Sequence, residues 1–160
     1  MTTSNAPDLQ IEGLTDLPAA DCHAIVKTLT ALLAGFSTRN ADQLAGVYAD
    51  DADWVNAFGS VKRGPTEIVE YLRGLFADAN FEAGRLVAPP QSRLRRLSDD
   101  IVLVSTRLEI RDQGLVGGGV IARRDNHSLR ALQRQQDKSW KIVSEMYMDA
   151  RSDLSYAGHS

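Results

Sequence analysis

Two aromatic residues flank a single amide within the segment from Tyr48 to Phe76. Trp54, Asn56 and Phe58 occupy every second position, so on a strand their side chains point to the same face. Such a surface is apolar with one hydrogen-bonding group, which is typical of the wall of a small-molecule pocket. A sheet face with one satisfied polar residue explains the same spacing equally well, and that alternative stays open.

His127 and Tyr71 are the two candidate residues for proton transfer. His127 begins a predicted strand just after a glycine-rich segment, and a neutral histidine there would exchange protons at physiological pH. A lone histidine with no second ligand at metal-binding spacing is more often structural or exposed. Tyr71 has a phenol that can donate a hydrogen bond to a ligand oxygen, and core packing with the hydroxyl at the rim is an equal alternative.

The last predicted strand and the third predicted helix complete the expected pocket. Phe76 lies on the inner face of that helix. Met146 and Met148 belong to the more apolar of the two alternating sets on the strand, so we assign them to the interior, against the alternative set with Glu145 and Tyr147. Methionines there are adaptable liners of a cavity, although core filling is commoner. The predicted ligand-binding residues are Trp54, Asn56, Phe58, Tyr71, Phe76, Met146 and Met148.

Helices occupy the first half of the chain and strands the second. Apolar residues at three- and four-residue intervals predict a helix over 17–37, and shorter helical patterns follow over 40–48 and from Pro65. A first strand is predicted over 52–58. This order predicts an α+β fold, in which three N-terminal helices pack on one face of a cone-shaped, curved antiparallel or mixed sheet and leave a hollow between them.

Four further strands are predicted after Asn80. They cover residues 85–97 with an interruption at Pro89-Pro90, 101–111, 127–135 and 140–148. The prolines indicate a bulge or an edge position. The connection over 113–126 contains three successive glycines, and its length is typical of a functional lid.

Composition narrows the class of protein. The chain of 160 residues predicts a flexible leader over 1–16, one domain over 17–149 and a loose tail over 150–160. A net charge of -3 disfavours nucleic acid as a partner, and the single cysteine excludes an internal disulfide and a cysteine-based metal cluster. No metal or other cofactor is expected. Neither a secretory signal nor an apolar stretch of about 20 residues is visible, which favours the cytoplasm and no membrane partner.

Two stretches of sequence resemble a known superfamily. They are ADDADWVNAFGSVKRGPTEI at the first predicted strand and WKIVSEMYMDA at the last. With the order of elements, they resemble the nuclear transport factor 2-like superfamily, which includes SnoaL-like polyketide cyclases and ketosteroid isomerases. VNAFGSVKRG and LVAPPQSRLRRLSDDIVLVSTRLEIRDQGLVGGG resemble more narrowly the SgcJ/EcaC group, and within it the SgcJ-type proteins of enediyne biosynthesis. The resemblance implies a homodimer, an apolar polyketide-derived ligand, and a polyketide synthase or thioesterase as a further partner.

The same resemblance limits the chemistry. In ketosteroid isomerases the catalytic base is an aspartate on the first strand, and the matching position here is Asn56, whose amide cannot accept a proton near neutral pH. No G-x-G-x-x-G motif follows a strand, so a nicotinamide- or flavin-dependent oxidoreductase is not supported. The sequence therefore favours a cavity-type binding protein. The alternatives are a cyclase or isomerase that uses His127, Tyr71 or an unassigned acid, and a non-catalytic partner of the synthase.

Overall fold

A curved sheet of eight strands forms the body of the molecule. The computed structural model describes residues 9–82 and 84–150. Its strands and helices are β1 (Gln10–Glu12), α1 (Ala19–Ser37), β2 (Tyr48–Val55), β3 (Val61–Arg63), α2 (Gly64–Ala77), β4 (Arg85–Leu86), β5 (Gln91–Arg96), β6 (Ile101–Gly114), β7 (Val120–Arg134) and β8 (Trp140–Asp149). The strand order is β1-β5-β6-β7-β8-β2-β3, and β4 pairs with the far part of β6. The predicted α+β class is confirmed.

Helix α1 packs across the sheet because one of its faces is apolar. Ile25, Leu29 and Leu32 recur at helical spacing and are buried in the core. The hydroxyl of Thr28 donates to the carbonyl oxygen of Trp140 on β8 at 2.5 Å, which fixes the helix to the sheet. At 19 residues, α1 is also long and apolar enough to cross a membrane by length and composition. One such helix is weak evidence for a membrane span, because the core helix of a globular domain meets the same criteria.

The segment before the first long strand differs from the prediction. The second predicted helix is only a turn of 3-10 helix over Ala41–Leu44, so residues 9–82 and 84–150 contain two α-helices where three were expected. Strand β2 begins at Tyr48 and ends at Val55. Asn56 and Phe58 consequently lie in the turn after β2, and Phe58 is 71% exposed while Trp54 on the strand is 2% exposed.

The predicted lid over 113–126 is mostly strand. Strands β6 and β7 form one long antiparallel hairpin, in which Gln113 pairs with Ile121 and Glu109 pairs with Asp125. Only residues 115–119 remain outside the strands. Residues 117–119 are glycines with φ of 83°, 100° and 97°, and residues other than glycine rarely adopt such positive values. The glycines therefore make a tight turn rather than a long loop.

A β-bulge in β8 changes which residues face inward. Ile142 pairs with Leu132 while Ser144 pairs with Ala131, so Val143 has no partner on β7. The extra residue reverses the alternation of side chains along the strand. Residues before the bulge follow the predicted inward set, and residues after it follow the opposite set.

Part of the predicted leader belongs to the sheet. Gln10–Glu12 forms β1, which pairs in parallel with β5. Gly13 follows it with φ of 92°, and a Cβ there would lie 2.3 Å from the carbonyl oxygen of Leu94, so only glycine allows this close approach. Residues 1–8 of the leader and 151–160 of the tail lie outside the described residues.

Candidate functional site

A cavity of about 1080 Å³ lies between the concave face of the sheet and the two helices. Its volume is at the upper end for small-molecule sites. The helical wall is mainly apolar, with Leu29, Leu32, Leu33 and Phe36 from α1 and Leu72 and Leu75 from α2, beside the polar Ser37, Glu70 and Tyr71. The opposite wall is formed by inward-facing residues of the sheet and carries most of the polar side chains of the lining, among apolar residues such as Trp54, Leu108 and Ile110. The cavity therefore has two chemically different walls.

Four hydroxyl side chains cross the sheet wall in one row. Ser92 on β5 pairs with Thr106 on β6, which pairs with Ser128 on β7, which pairs with Tyr147 on β8. All four residues line the cavity. The hydroxyls of Ser92 and Thr106 are hydrogen-bonded at 2.8 Å. We call Ser92, Thr106, Ser128 and Tyr147 the hydroxyl row.

A buried carboxylate lies behind this row. Oε1 of Glu145 accepts hydrogen bonds from the hydroxyl of Tyr48 at 2.9 Å, Nε1 of Trp54 at 3.1 Å and the hydroxyl of Tyr147 at 2.7 Å. Oε2 accepts from Nε of Arg130 at 2.6 Å. Glu145 is 1% exposed and does not line the cavity. With four donors around it, this carboxylate is solvated by the protein and has little capacity left for a substrate.

The charge of the network is balanced by Arg130. Its guanidinium also donates from Nη1 to Thr106 at 3.0 Å and from Nη2 to Ser128 at 2.8 Å. Burial alone would lower the pKa of Arg130, but the Glu145 carboxylate beside it holds that pKa above its ordinary value. Arg130 is therefore a permanent cation in the cavity wall, and its ion-pair partner is Glu145.

The two phenols of the network stay protonated. Burial, and then the negative charge of Glu145, raise the pKa of both Tyr48 and Tyr147 above the ordinary 10.0. Each phenol therefore acts as a hydrogen-bond donor to the carboxylate and not as a base at physiological pH.

Alkaline titration should reveal these two phenols. In the folded protein Tyr48 and Tyr147 retain their protons above pH 10, whereas in the unfolded chain they lose them near 10.0. Their contribution to the stability of the fold is therefore complete below pH 10. Above pH 10, each phenol lowers the free energy of unfolding by about 1.4 kcal/mol per pH unit. We expect the tyrosinate absorbance of the folded protein to show that at least two of the four tyrosines ionise only above pH 10. Ionisation of all four with the fold intact near pH 10 would contradict this.

A second polar cluster lies nearer the β6–β7 turn. Nε of Arg124 donates to Asp149 at 2.6 Å, and its Nη1 donates to the side-chain oxygen of Gln113 at 2.8 Å. Nδ2 of Asn126 donates to the same carboxylate of Asp149 at 2.9 Å. The guanidinium also lies 5.5 Å from the centre of the Phe58 ring, a cation–π arrangement that holds this exposed ring over the cavity mouth.

Comparison with known proteins identifies the family. A family model described as a SnoaL-like domain matches residues 29–123, which is more than half of the 160-residue chain. The chain belongs to the SnoaL-like family. A search among curated proteins gave no significant match.

Solved structures similar to this SnoaL-like domain share its fold. A protein with a cystatin-like fold from Caulobacter vibrioides is 19% identical, with a TM-score of 0.66 over 81% of this chain and 89% of that one. A hexachlorocyclohexane dehydrochlorinase from Novosphingobium barchaimii is 18% identical, with a TM-score of 0.66 over 88% and 94%. A ketosteroid isomerase-like protein from Erwinia carotovora is 16% identical, with a TM-score of 0.62 over 81% and 95%. At these identities the likeness establishes the cystatin-like, nuclear transport factor 2-like fold and not an activity.

Four of the predicted site residues line the cavity: Trp54, Asn56, Phe58 and Tyr71. Trp54 and Tyr71 line it with ring centres 5.5 Å apart. Asn56 also lines it, but its side chain is largely engaged: Oδ1 accepts from the backbone N–H groups of Phe58 and Ser60, and Nδ2 donates to the Tyr71 hydroxyl at 2.9 Å. Asn56 therefore positions Tyr71 and the turn, in place of the direct ligand contact that its spacing suggested.

Phe58 and the other predicted residues have different roles. Phe58 lines the mouth of the cavity and not the strand face expected for it. Phe76 packs against Phe36 with ring centres 5.5 Å apart and lies in the core behind the lining. The assignment of Met146 and Met148 to the interior is wrong, because the bulge at Val143 turns them to the convex face of the sheet, where they are 57% and 58% exposed.

His127 does not reach the cavity either. It lies on the convex face with Met148, and its Nε2 is 3.5 Å from the carboxylate of Asp125. His127 therefore does not line this cavity, and its candidate role in ligand contact stays a prediction. Tyr71 remains, and its hydroxyl accepts one hydrogen bond from Asn56 while its own proton has no acceptor among the described residues.

Sequence reasoning missed the most buried polar residues of the site. Arg124, Asn126, Ser128 and Arg130 alternate inward along β7, but the outward set of the same strand is equally polar, so alternation alone could not choose a face. Glu145 could have indicated the buried network, because it is an acid within the largely apolar segment WKIVSEMYM. A carboxylate in such a strand requires buried hydrogen-bonding partners.

The acids on the cavity lining are poorly placed for catalysis. Glu70 is exposed at the edge, and Asp78 accepts hydrogen bonds from the backbone N–H groups of Asn80 and Phe81. No histidine lines the cavity, and no cluster of three His, Cys, Asp or Glu side chains with metal-binding geometry occurs within residues 9–82 and 84–150. The arrangement can orient a ligand by hydrogen bonds, and among the described lining residues the exposed Glu70 is the one acid without a hydrogen-bond donor.

Proposed function

We propose that this SnoaL-like domain binds an apolar small molecule in its cavity and serves as a binding or accessory protein. The observation that carries this proposal is the pairing of a mainly apolar helical wall with a sheet wall that carries most of the hydrogen-bonding groups, while the buried Glu145 behind that wall is already hydrogen-bonded. A flat apolar ligand would rest on the helices and present its oxygen atoms to the sheet. Such a site provides binding and orientation without a group poised for proton abstraction.

A polyketide-derived ligand is the class that we favour. A compound of this class combines an apolar carbon framework with several oxygen atoms, which corresponds to the two walls of the cavity. The finer proposal of a role in enediyne polyketide biosynthesis rests on the resemblance of VNAFGSVKRG and LVAPPQSRLRRLSDDIVLVSTRLEIRDQG to SgcJ-type proteins. We place this function in the cytoplasm.

The second candidate is a cyclase or isomerase that acts on a polyketide intermediate by acid–base chemistry. The Tyr71 hydroxyl favours it, because this phenol lines the cavity and keeps a proton to donate. A hexachlorocyclohexane dehydrochlorinase among the similar structures indicates that the fold accommodates elimination chemistry. The placement of the lining acids counts against it in this chain: Asp78 is engaged by backbone N–H groups and Glu70 is exposed at the edge, so Tyr71 has no buried base as a partner among the described lining residues.

Native mass spectrometry of the purified protein tests the binding function. We expect a small molecule that remains bound to the native protein and is released on denaturation. Tyr71→Phe removes one hydroxyl from the cavity and should weaken retention about threefold to tenfold, the effect of one hydrogen bond. Met146→Ala is the control, because Met146 lies on the convex face and should leave retention unchanged.

Two results would contradict the proposal. Equal loss of ligand in Tyr71→Phe and Met146→Ala would mean that the cavity is not the binding site. Turnover of a polyketide model substrate, abolished by Tyr71→Phe with the fold intact, would establish the enzyme instead.

A homodimer and a synthase or thioesterase partner are further proposals. The convex face of the sheet exposes Leu129, Met146 and Met148, which form an apolar patch between charged residues. We propose that this patch is buried against a second copy of the chain. The mass of the native assembly, measured by native mass spectrometry, shows directly whether the protein is a dimer. Salt-sensitive co-elution with a synthase, in place of a dimer, would support the other partner.

A further inference from the structure

Arg130 has hydrogen-bonding capacity that the protein does not use. A guanidinium has five N–H groups, and three of them donate to Glu145, Thr106 and Ser128. Two N–H groups, one on each Nη, remain without an acceptor among the described residues. The Arg130 side chain is only 6% exposed and still lines the cavity. An N–H group enclosed in this way is costly unless something inside the cavity accepts its hydrogen bond.

The hydroxyl row adds donors at the same place. Ser128 accepts from Arg130, so its own proton is free to donate. In the Ser92–Thr106 pair one hydroxyl donates to the other, which leaves one further proton for the cavity. These groups are less than a tenth exposed. The deep part of the sheet wall is therefore rich in donors.

The balance of charge decides which oxygen fits. The Glu145 carboxylate lies 2.6 Å from Nε of Arg130 and compensates its positive charge. A ligand carboxylate would bring a second, uncompensated negative charge into this buried place, which is unfavourable. A neutral carbonyl oxygen accepts two hydrogen bonds and adds no charge. The network therefore favours a ketone or quinone oxygen over an acid.

The position of Arg130 sets the orientation of the ligand. Arg124 lies near the β6–β7 turn at the mouth, and Arg130 is six residues farther along β7, a distance of about 20 Å at about 3.3 Å per residue. Beyond Arg130 the inward residue is Leu132, which is completely buried in the core. The donor-rich end is therefore the inner end of the cavity.

We propose that Arg130, with Ser92, Thr106 and Ser128, forms a subsite for a neutral carbonyl oxygen at the inner end of the cavity. This inference rests on the proposed binding function and adds the class of ligand: an apolar ring system that enters with a ketone or quinone oxygen leading. The two lone pairs of that oxygen would accept from two of the available donors, the free N–H groups of Arg130 and the hydroxyl of Ser128.

Isothermal titration calorimetry with three matched naphthalenes tests the subsite. The probes are 2-acetylnaphthalene, its isostere 2-isopropenylnaphthalene, in which a methylene replaces the carbonyl oxygen, and 2-naphthoate. The measured quantity is the ratio of the ketone's affinity to that of the alkene, because comparing this ratio between variants cancels the difference in hydrophobicity. We expect the wild-type protein to bind the ketone more tightly than 2-naphthoate.

The variants separate the subsite from the cavity as a whole. The double variant Arg130→Met with Glu145→Gln removes the guanidinium without leaving a lone carboxylate, and the ketone-to-alkene ratio should fall about tenfold. Ser128→Ala should lower it about threefold. Ser105→Ala removes a serine hydroxyl from the exposed face of β6 and should leave the ratio unchanged.

Each adverse outcome has a distinct meaning. If the probes bind but the ratio is the same in the wild type and the double variant, the subsite is overturned and the binding function stands. Tighter binding of 2-naphthoate than of the ketone overturns the preference for a neutral oxygen. If no probe binds to the wild-type protein, both the subsite and the proposed function fall.

Discussion

Replacing Arg130 with methionine lowers the free energy of unfolding by about 3 kcal/mol, because it strands a buried carboxylate. Loss of one partner from a buried ion pair costs about 3–5 kcal/mol. The lower end applies here, since Glu145 keeps the donors Tyr48, Trp54 and Tyr147. Urea denaturation followed by circular dichroism measures the change.

Two further variants make this result specific to the network. Arg130→Met combined with Glu145→Gln should restore stability to within about 1 kcal/mol of the wild type, since no charge is then left unpaired. Arg107→Met breaks an exposed pair with Asp125 on the convex face of the same sheet and should cost less than about 1 kcal/mol. If Arg130→Met costs no more than Arg107→Met, Glu145 is not the buried anion described here.

Trp54→Ala destabilises the fold by about 3–5 kcal/mol, the usual cost of emptying a buried aromatic site. Trp54 is 2% exposed, its ring lies 5.5 Å from that of Tyr71 and 6.0 Å from that of Tyr147, and its Nε1 donates to Glu145. Alanine removes the packing and one of the four donors together. Trp54→Phe should retain most of the packing and cost about 1–2 kcal/mol for the lost hydrogen bond.

Phe58→Ala is the informative comparison. Phe58 is also an aromatic lining residue, four positions along the chain, but it is 71% exposed in the turn after β2. We expect Phe58→Ala to change the free energy of unfolding by less than about 0.5 kcal/mol while weakening ligand retention at the mouth. Equal destabilisation by Trp54→Ala and Phe58→Ala would indicate that both side chains are buried on one strand face. It would contradict the placement of Phe58 in the turn after β2.

These contrasts show why a period-two pattern alone is insufficient to predict the roles of the residues in a site. Trp54, Asn56 and Phe58 have the spacing of one strand face, yet the strand ends at Val55. One of them consequently supports the buried network, one caps a turn and positions Tyr71, and one covers the cavity mouth. The spacing pointed to residues that line the cavity, and the end of the strand decided their separate roles.

The sequence by itself determined the α+β class, the helices α1 and α2, the long strands β6 and β8, and the part of the cavity wall around Trp54 and Tyr71. These features depend on local periodicity and residue chemistry, which neighbouring positions along the chain reveal. Only the tertiary structure decided that Glu145 and Tyr147 face inward, because one unpaired residue, Val143, reverses the alternation of β8. Arg130 and Glu145 are fifteen residues apart and meet through the pairing of β7 with β8. Cross-strand register is a long-range property, and both faces of β7 are polar enough for either register.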